Sequence, residues 1–416
     1  MAQVQPLPKP RLVTTPRERC VTVIDDQVGL HRFIDEIDPT APIAIDAERA
    51  QSFRYSAKAY LIQFHQSGCG TRLLDPVALA QPGELADLSI LDDALASCQW
   101  VLHAASQDLP GLAEVGLTPR SLFDTELGGR LLGFEKVSLS PMLAHYLGIE
   151  LAKAHSADDW SARPLPVSWL IYAALDVDYL LELRDAVAED LANAGKADWA
   201  EQEFACAMDR FALAPAFDPE RWRTTKGIGV LRQPRQLGIA RSLWQLRDSF
   251  ARQLDMYSGR ILSDAALVEA SVSLARLQPE QVASTINKLP GFTGPLAKRQ
   301  KDTWTSAVIA AMQLDTSQLP TRTVRNTVPS HRVWPQLNKL AAQRWDIARP
   351  LINQVAAKNN LPPENLMTVA TLAQVLWRDN LDTSEVGLRQ AMAQTDTRPW
   401  QQDLLAPALA QALASS

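Results

Sequence analysis

IAIDAERA (43–50) decides how this chain is read, because an apolar run here ends in two acidic residues, Asp46 and Glu48. Side chains alternate across a strand, so positions two apart share a face and the two carboxylates converge. Working outward, APIAID (41–46), KAYLIQF (58–64), TRLLD (71–75) and WVLHA (100–104) are short apolar runs bounded by polar or turn residues, and they predict strands. Helices are expected at about 107–115 and 123–133, with one long helix over 167–193 that ends near Gly195. Strands first, then strands alternating with helices, indicate an α/β domain with a mixed sheet over residues 20–212.

The chain has 416 residues, of which 46% are hydrophobic and 21% charged, which excludes wholesale disorder and suits two or three domains with their own cores. The four cysteines (Cys20, Cys69, Cys98, Cys206) form no CxxC pair, and the six histidines include no HExxH. That argues against a disulfide scaffold, a zinc ribbon and a thiol redox motif. No apolar run approaches the roughly 18 residues that a membrane span needs, so a cytoplasmic location is expected. Charge is divided along the chain: residues 1–215 hold 17 Lys+Arg against 31 Asp+Glu, and residues 216–416 hold 24 against 16. The acidic half suits hard metal ions and the basic half suits a polyanion.

Residues 1–19 are Pro-rich and are read as a tail. The α/β domain is followed by a linker (213–234), a helical block (235–313), a second linker (314–332) and a second helical block (333–416). Arg247, Phe250, Ala251, Arg252 and Leu254 recur 97 residues later as Arg344, Ile347, Ala348, Arg349 and Leu351, and Leu267 is matched to Leu366. The two blocks are therefore expected to be a duplicated module.

Three further pieces carry chemistry. Asp108 follows the strand WVLHA, and Tyr172 and Asp176 lie four apart in YAALDVDYLL, on one helical face. Taken with Asp46 and Glu48, their order along the chain resembles the ribonuclease D branch of the DEDD exonucleases, in its tyrosine-bearing subclass. IAIDAE, LIQF, LLDP, LHAASQDL, FDTELGGRLLG and DDWSARPL carry the likeness over residues 41 to about 185. The helical blocks resemble the helicase-and-ribonuclease-D C-terminal (HRDC) domains that follow in that family.

The resemblance implies an α/β ribonuclease-H-like exonuclease domain followed by two small all-α domains. It implies a 3′→5′ exoribonuclease that uses two divalent ions, Mg²⁺ or Mn²⁺, on RNA with a single-stranded 3′ end, transfer RNA precursors among them. Asp46, Glu48, Asp108 and Asp176 would be the metal ligands and Tyr172 would orient the attacking water. The alternatives are a DNA-directed exonuclease and a catalytically silent RNA-binding protein. The chain departs from the family at Ala47 and Arg49, where Thr and an aromatic or apolar residue are usual. Arg163 is expected to contact phosphate, and Arg235, Arg241, Arg247 and Arg252 to form a basic RNA-binding patch. A chain ending near Asp218 is expected to fold and still trim short oligonucleotides. His103 is read as structural or substrate-adjacent, Asp124 as a helix cap, and Asp158, Asp159 and Trp160 as loop residues before the last helix.

Overall fold

The computed structural model describes residues 9–17, 22–81, 84–152, 155, 157–211, 218–322 and 328–414. Cys20, the ends of the expected tail and parts of both expected linkers lie outside these residues. β1 is Arg11–Val13, β2 Thr22–Ile24, β3 Ile43–Arg49, β4 Ala59–Gln66, β5 Gly70–Leu74, β6 Trp100–Leu102, β7 Leu122–Asp124 and β8 Ile149–Leu151. Six of them form a sheet in the order β2-β5-β4-β3-β6-β7. β4 is antiparallel to both neighbours, whereas β2–β5, β3–β6 and β6–β7 are parallel, so the sheet is mixed. β3 and β4 lie at its centre and are buried along almost their whole length, as continuous apolar runs require. Helices Val167–Asp178, Leu180–Asn193 and Ala197–Phe211 pack on this sheet, giving the ribonuclease-H-like α/β fold.

Three expectations are corrected here. The tail is in part a strap: β1 pairs in parallel with β8, and the backbone amide of Arg17 donates to Asp178 Oδ2 at 3.0 Å. The long helix is two helices, because Tyr179 leaves helical geometry at φ −119° and ψ 8°. Short β7 and the helix Thr125–Leu131 share the stretch read as one helix, since Asp124 caps the helix from the end of the strand.

The helical blocks repeat one element order. A 20-residue helix (Pro234–Gln253 or Lys339–Lys358) leads through a left-handed corner to a one-turn helix (Ser258–Ile261 or Pro363–Leu366) and then three or more further helices. The corners are Asp255 (φ 43°) and Asn360 (φ 50°), the residue types that tolerate this region best after glycine. After each, an amide closes on the helix: Met256 N to Ala251 O and Leu361 N to Ala356 O, both 2.9 Å. Asp255 thus corresponds to Asn360, and Ile261 to Leu366. The register read from the sequence is off by about two helical turns, because a short amphipathic match can slide along a helix that keeps presenting apolar residues.

The blocks do not sit alike on the sheet domain. The first keeps its own apolar cluster, around Trp222, Leu243, Phe250 and Trp304. The second shares one continuous core with the α/β domain. Trp199 stacks on Trp400 at 4.7 Å, and Glu203 accepts from Arg398 Nε and Trp400 Nε1. Buried Lys196 donates to the carbonyls of Leu131, at 2.6 Å, and Asn359, at 2.7 Å. A chain ending near Asp218 would leave the α/β side of this shared core uncovered. Among the described residues, no helix is long and apolar enough to cross a membrane.

Candidate active site

β3 presents Asp46 and Glu48 on one face, opposite Gln63 and Leu61 of β4. The ladder then shifts register between Glu48 and Arg49, with Tyr60 of β4 as the extra residue. Asp108 arrives from β6 through a short 3-10 turn (Ala105–Gln107) and starts the helix Leu109–Ala113. That turn is braced from below. Ala104 is held at φ 63°, and Asp124 accepts from the amides of Ala104 (3.0 Å) and Ala105 (2.8 Å) as well as from its own helix at Glu126 and Leu127. Asp124 is therefore a cap that also positions the loop carrying Asp108. His103 meets Thr125 Oγ1 at 2.8 Å through Nδ1, and Thr125 in turn donates to Leu102 O, a structural arrangement beside the site.

The helix Val167–Asp178 supplies Tyr172 and Asp176 one turn apart, with the Tyr172 hydroxyl against the Asp176 carboxylate. Asp46, Glu48 and Asp176 each bring a carboxylate oxygen within 4.8 Å of the others. Asp108 joins the same cavity, of about 330 Å³, which Tyr172, Gln51, Ser52, Phe53, Gln107 and Asp158 also line. Trp160 is buried beneath Tyr172, 6.4 Å from it between ring centroids.

Electrostatics mark this cavity as short of positive charge. Burial first, and then the charges of Asp46, Asp176 and Asp108, push Glu48 up to about 10. Burial also raises Asp46, Asp108 and Asp176, each with a carboxylate neighbour or cluster adding to it in the latter two. Tyr172 is raised by burial and by three of these acids, so its phenol keeps its proton. A set of oxygen donors with unbalanced negative charge and no Cys or neutral His among them fits a hard divalent cation. The Gln63 side chain, fully buried and directly opposite Asp46, has no hydrogen-bond partner among the described residues.

The expected RNA contacts fare differently. Arg163 spends all five N–H donors internally: Nε and Nη2 grip Asp75 at 2.7 Å each, Nη2 also reaches Tyr60 O, and Nη1 reaches Trp160 O and Ala162 O. Nothing is left for phosphate, and Arg163 instead ties the loop before the helix Val167–Asp178 to the sheet. Arg247 is buried, donating to Leu262 O (3.0 Å) and Asp264 (2.6 Å), so it too is internal. Arg252 is 58% exposed and pairs with Asp248 at 2.9 Å. Arg241 reaches Gln318 O at 3.4 Å, and Arg235 is half-buried with an Nε that has no partner among the described residues. Sequence reasoning passed over Gln51, Ser52, Phe53 and Gln107. The first three directly follow DAERA (46–50), but nothing in a QSF turn says that it folds back over the strand end.

Comparison with known proteins bears on this arrangement. The 3'-5' exonuclease family matches residues 21–192, and the 3' to 5' exonuclease C-terminal domain matches residues 327–413. Ribonuclease D of Gluconacetobacter diazotrophicus is 30% identical over 305 residues, 72% of this chain and 73% of that protein. Ribonuclease D of Bartonella henselae is 26% identical over 338 residues, 80% and 78% of the two chains. Among solved structures, a protein from Bifidobacterium adolescentis superposes with a TM-score of 0.84 at 32% identity, over 98% of this chain and all of that one. Escherichia coli RNase D, described as an exoribonuclease involved in structured RNA processing, shares the fold with a TM-score of 0.69 at 23% identity, over 95% and 99%. The chain belongs to the ribonuclease D family of 3′→5′ exoribonucleases.

Proposed function

We propose that this protein trims RNA from single-stranded 3′ ends, releasing nucleoside 5′-monophosphates, with Asp46, Glu48, Asp108, Asp176 and Tyr172 as its catalytic residues and two divalent ions, Mg²⁺ or Mn²⁺, as cofactors. The observation that carries the reading is the convergence of three carboxylates within 4.8 Å, with Asp108 and Tyr172 in the same cavity. Divalent ions held there supply charge neutralisation on the phosphate, an activated water and a stabilised leaving oxygen. Asp46, Glu48 and Asp176 form the closer donor set and Asp108 faces them across the cavity. The Tyr172 hydroxyl, kept protonated by burial and by its acidic neighbours and set against Asp176, accepts a hydrogen bond from the attacking water and so orients it. Phe53 at the cavity wall offers an aromatic face to the terminal base.

The substrates we propose are transfer RNA and other structured RNA precursors, in the cytoplasm. Arg235, Arg241 and Arg252 on the first helical block are the proposed contacts to the RNA backbone beyond the active site, and both blocks are proposed to be HRDC domains. The test is incubation of the purified protein with 5′- and 3′-labelled RNA and DNA in Mg²⁺, Mn²⁺ or EDTA. Stepwise shortening of RNA from the 3′ end, with mononucleotide release and silence in EDTA, is expected. Preferential digestion of DNA would favour the DNA-directed alternative, and binding without cleavage the silent one.

A further inference from the structure

Arg49 is the last residue of β3, where the partner strand β4 carries one extra residue, Tyr60. In a regular strand it would share a face with Ala47, away from Asp46 and Glu48. Arg49 nonetheless lines the same cavity as the four acids. Its Nε lies 3.7 Å from Asp108 Oδ1, with the two side chains only 18% and 7% exposed. Asp46, Glu48 and Asp176 make the compact trio, and Asp108, outside it, has the guanidinium against it. Among the described residues that line the cavity, Arg49 is the one Lys or Arg, and its ion pair is with the one carboxylate outside the closer donor set.

We propose that Arg49 and the second divalent ion exchange at Asp108: the guanidinium holds this carboxylate when the ion is absent and must leave it for the ion to bind. The inference rests on the metal-dependent reading above. A divalent ion on Asp108 would sit beside the guanidinium, and the low-dielectric surroundings screen their mutual repulsion poorly. The charge of Arg49 also bears on Asp46 and Glu48, but its ion pair is with Asp108, so the two metal sites differ in affinity, and Arg49 sets the difference. Arg49 is in this sense a positioning residue that controls occupancy. It makes the second site weak at rest, and the displaced guanidinium is then free in the cavity that receives the scissile phosphate, where its planar fork suits phosphate oxygens.

The test counts ions directly. Mn²⁺ is titrated into the full chain without RNA, with free Mn²⁺ followed by electron paramagnetic resonance and heat by calorimetry, for wild type, Arg49→Gln, Arg49→Lys and Asp108→Asn. Wild type is expected to bind one ion more tightly and a second at least about tenfold more weakly. Arg49→Gln should tighten the second site by about tenfold or more and leave the first within about threefold, Arg49→Lys should fall between, and Asp108→Asn should remove the second site. Matching thermal melts in EDTA show that each variant is folded, and Arg49→Lys, which keeps the charge, serves if Arg49→Gln does not fold. Two bound ions whose affinities Arg49→Gln leaves unchanged, or tightens equally, would overturn the exchange while leaving the metal-dependent reading standing. No bound Mn²⁺ in wild type would overturn both.

Discussion

The backbone amide of Arg17 donates to Asp178 Oδ2 at 3.0 Å, two residues beyond Asp176 on the helix that carries Tyr172. Around this bond the Arg17 guanidinium pairs with Glu182 and lies 4.0 Å over the Tyr179 ring. The strand-bearing N-terminal segment therefore closes on the point where the catalytic helix breaks from the next one. Arg17→Ala removes a half-exposed pair and a cation–π contact, worth about 1 kcal/mol together once solvent screening is allowed for. Deletion of residues 1–17 also leaves Asp178 without its amide donor and should lower Tm by several degrees more. Thermal melts of the two variants beside wild type check this order; an unchanged Tm for the deletion would mean that the strap holds nothing.

Asp46→Asn and Asp176→Asn are each expected to lower the RNA-trimming rate by about 10³-fold or more, because the water and the phosphate both lose their placement. Fold is retained, since each change removes a charge from a cluster of like charges rather than a packing group. Single-turnover rates and circular dichroism spectra are the measurements. A variant with a tenth of wild-type rate would sink the assignment of that residue.

Tyr172→Phe should lower kcat by about 10- to 100-fold, the cost of one lost hydrogen bond in the transition state, with RNA affinity little changed. The phenol is held protonated, so no ionisation of Tyr172 should appear in the pH–rate profile of wild type between pH 6 and about 10. A defect confined to KM would reduce Tyr172 to a packing residue of its helix.

His103 is held down to about 4 by burial, below its ordinary value of about 6.5. Its neutral form therefore contributes stability that is fully present above pH 6.5 and is lost as pH falls toward 4. Wild type should lose about 2 kcal/mol from this residue by pH 5, and His103→Gln, which does not titrate, should lose correspondingly less over the same interval. Urea unfolding of both proteins at pH 7 and pH 5 compares the two losses; equal losses would show that His103 does not titrate on unfolding.

Trp400 is 2% exposed, stacked on Trp199 and bonded to Glu203 across the junction with the α/β domain. Trp400→Ala should cost about 3–5 kcal/mol and destabilise both sides of that junction together. By the same argument a chain ending at Asp218 should bind the dye ANS and lose near-ultraviolet dichroism. A truncation that keeps the full-length Tm and native spectrum would show that the shared core is dispensable.

The sequence by itself determined the features that depend on local spacing. Alternation along IAIDAE fixes Asp46 and Glu48 on one face, a four-residue interval puts Tyr172 and Asp176 on one helix side, and the strand order announces a mixed α/β sheet. These follow from backbone periodicity, which any short segment carries within itself. Only the tertiary structure decided where an arginine spends its donors. Arg163 and Arg247 look like free cations in the chain, yet their partners, Asp75 and Asp264, come from other elements. Arg49 reaches Asp108 only because the end of β3 lies beside the turn that follows β6, and Asp124 props the Asp108 loop only because β7 lies beside β6. The joining of the second helical block to the nuclease core was equally invisible, since Trp199 and Trp400 meet although they lie 201 positions apart in the chain. Long-range contacts are chosen by how whole elements pack, and that choice is made by the summed burial of many side chains, which no single stretch of the chain contains.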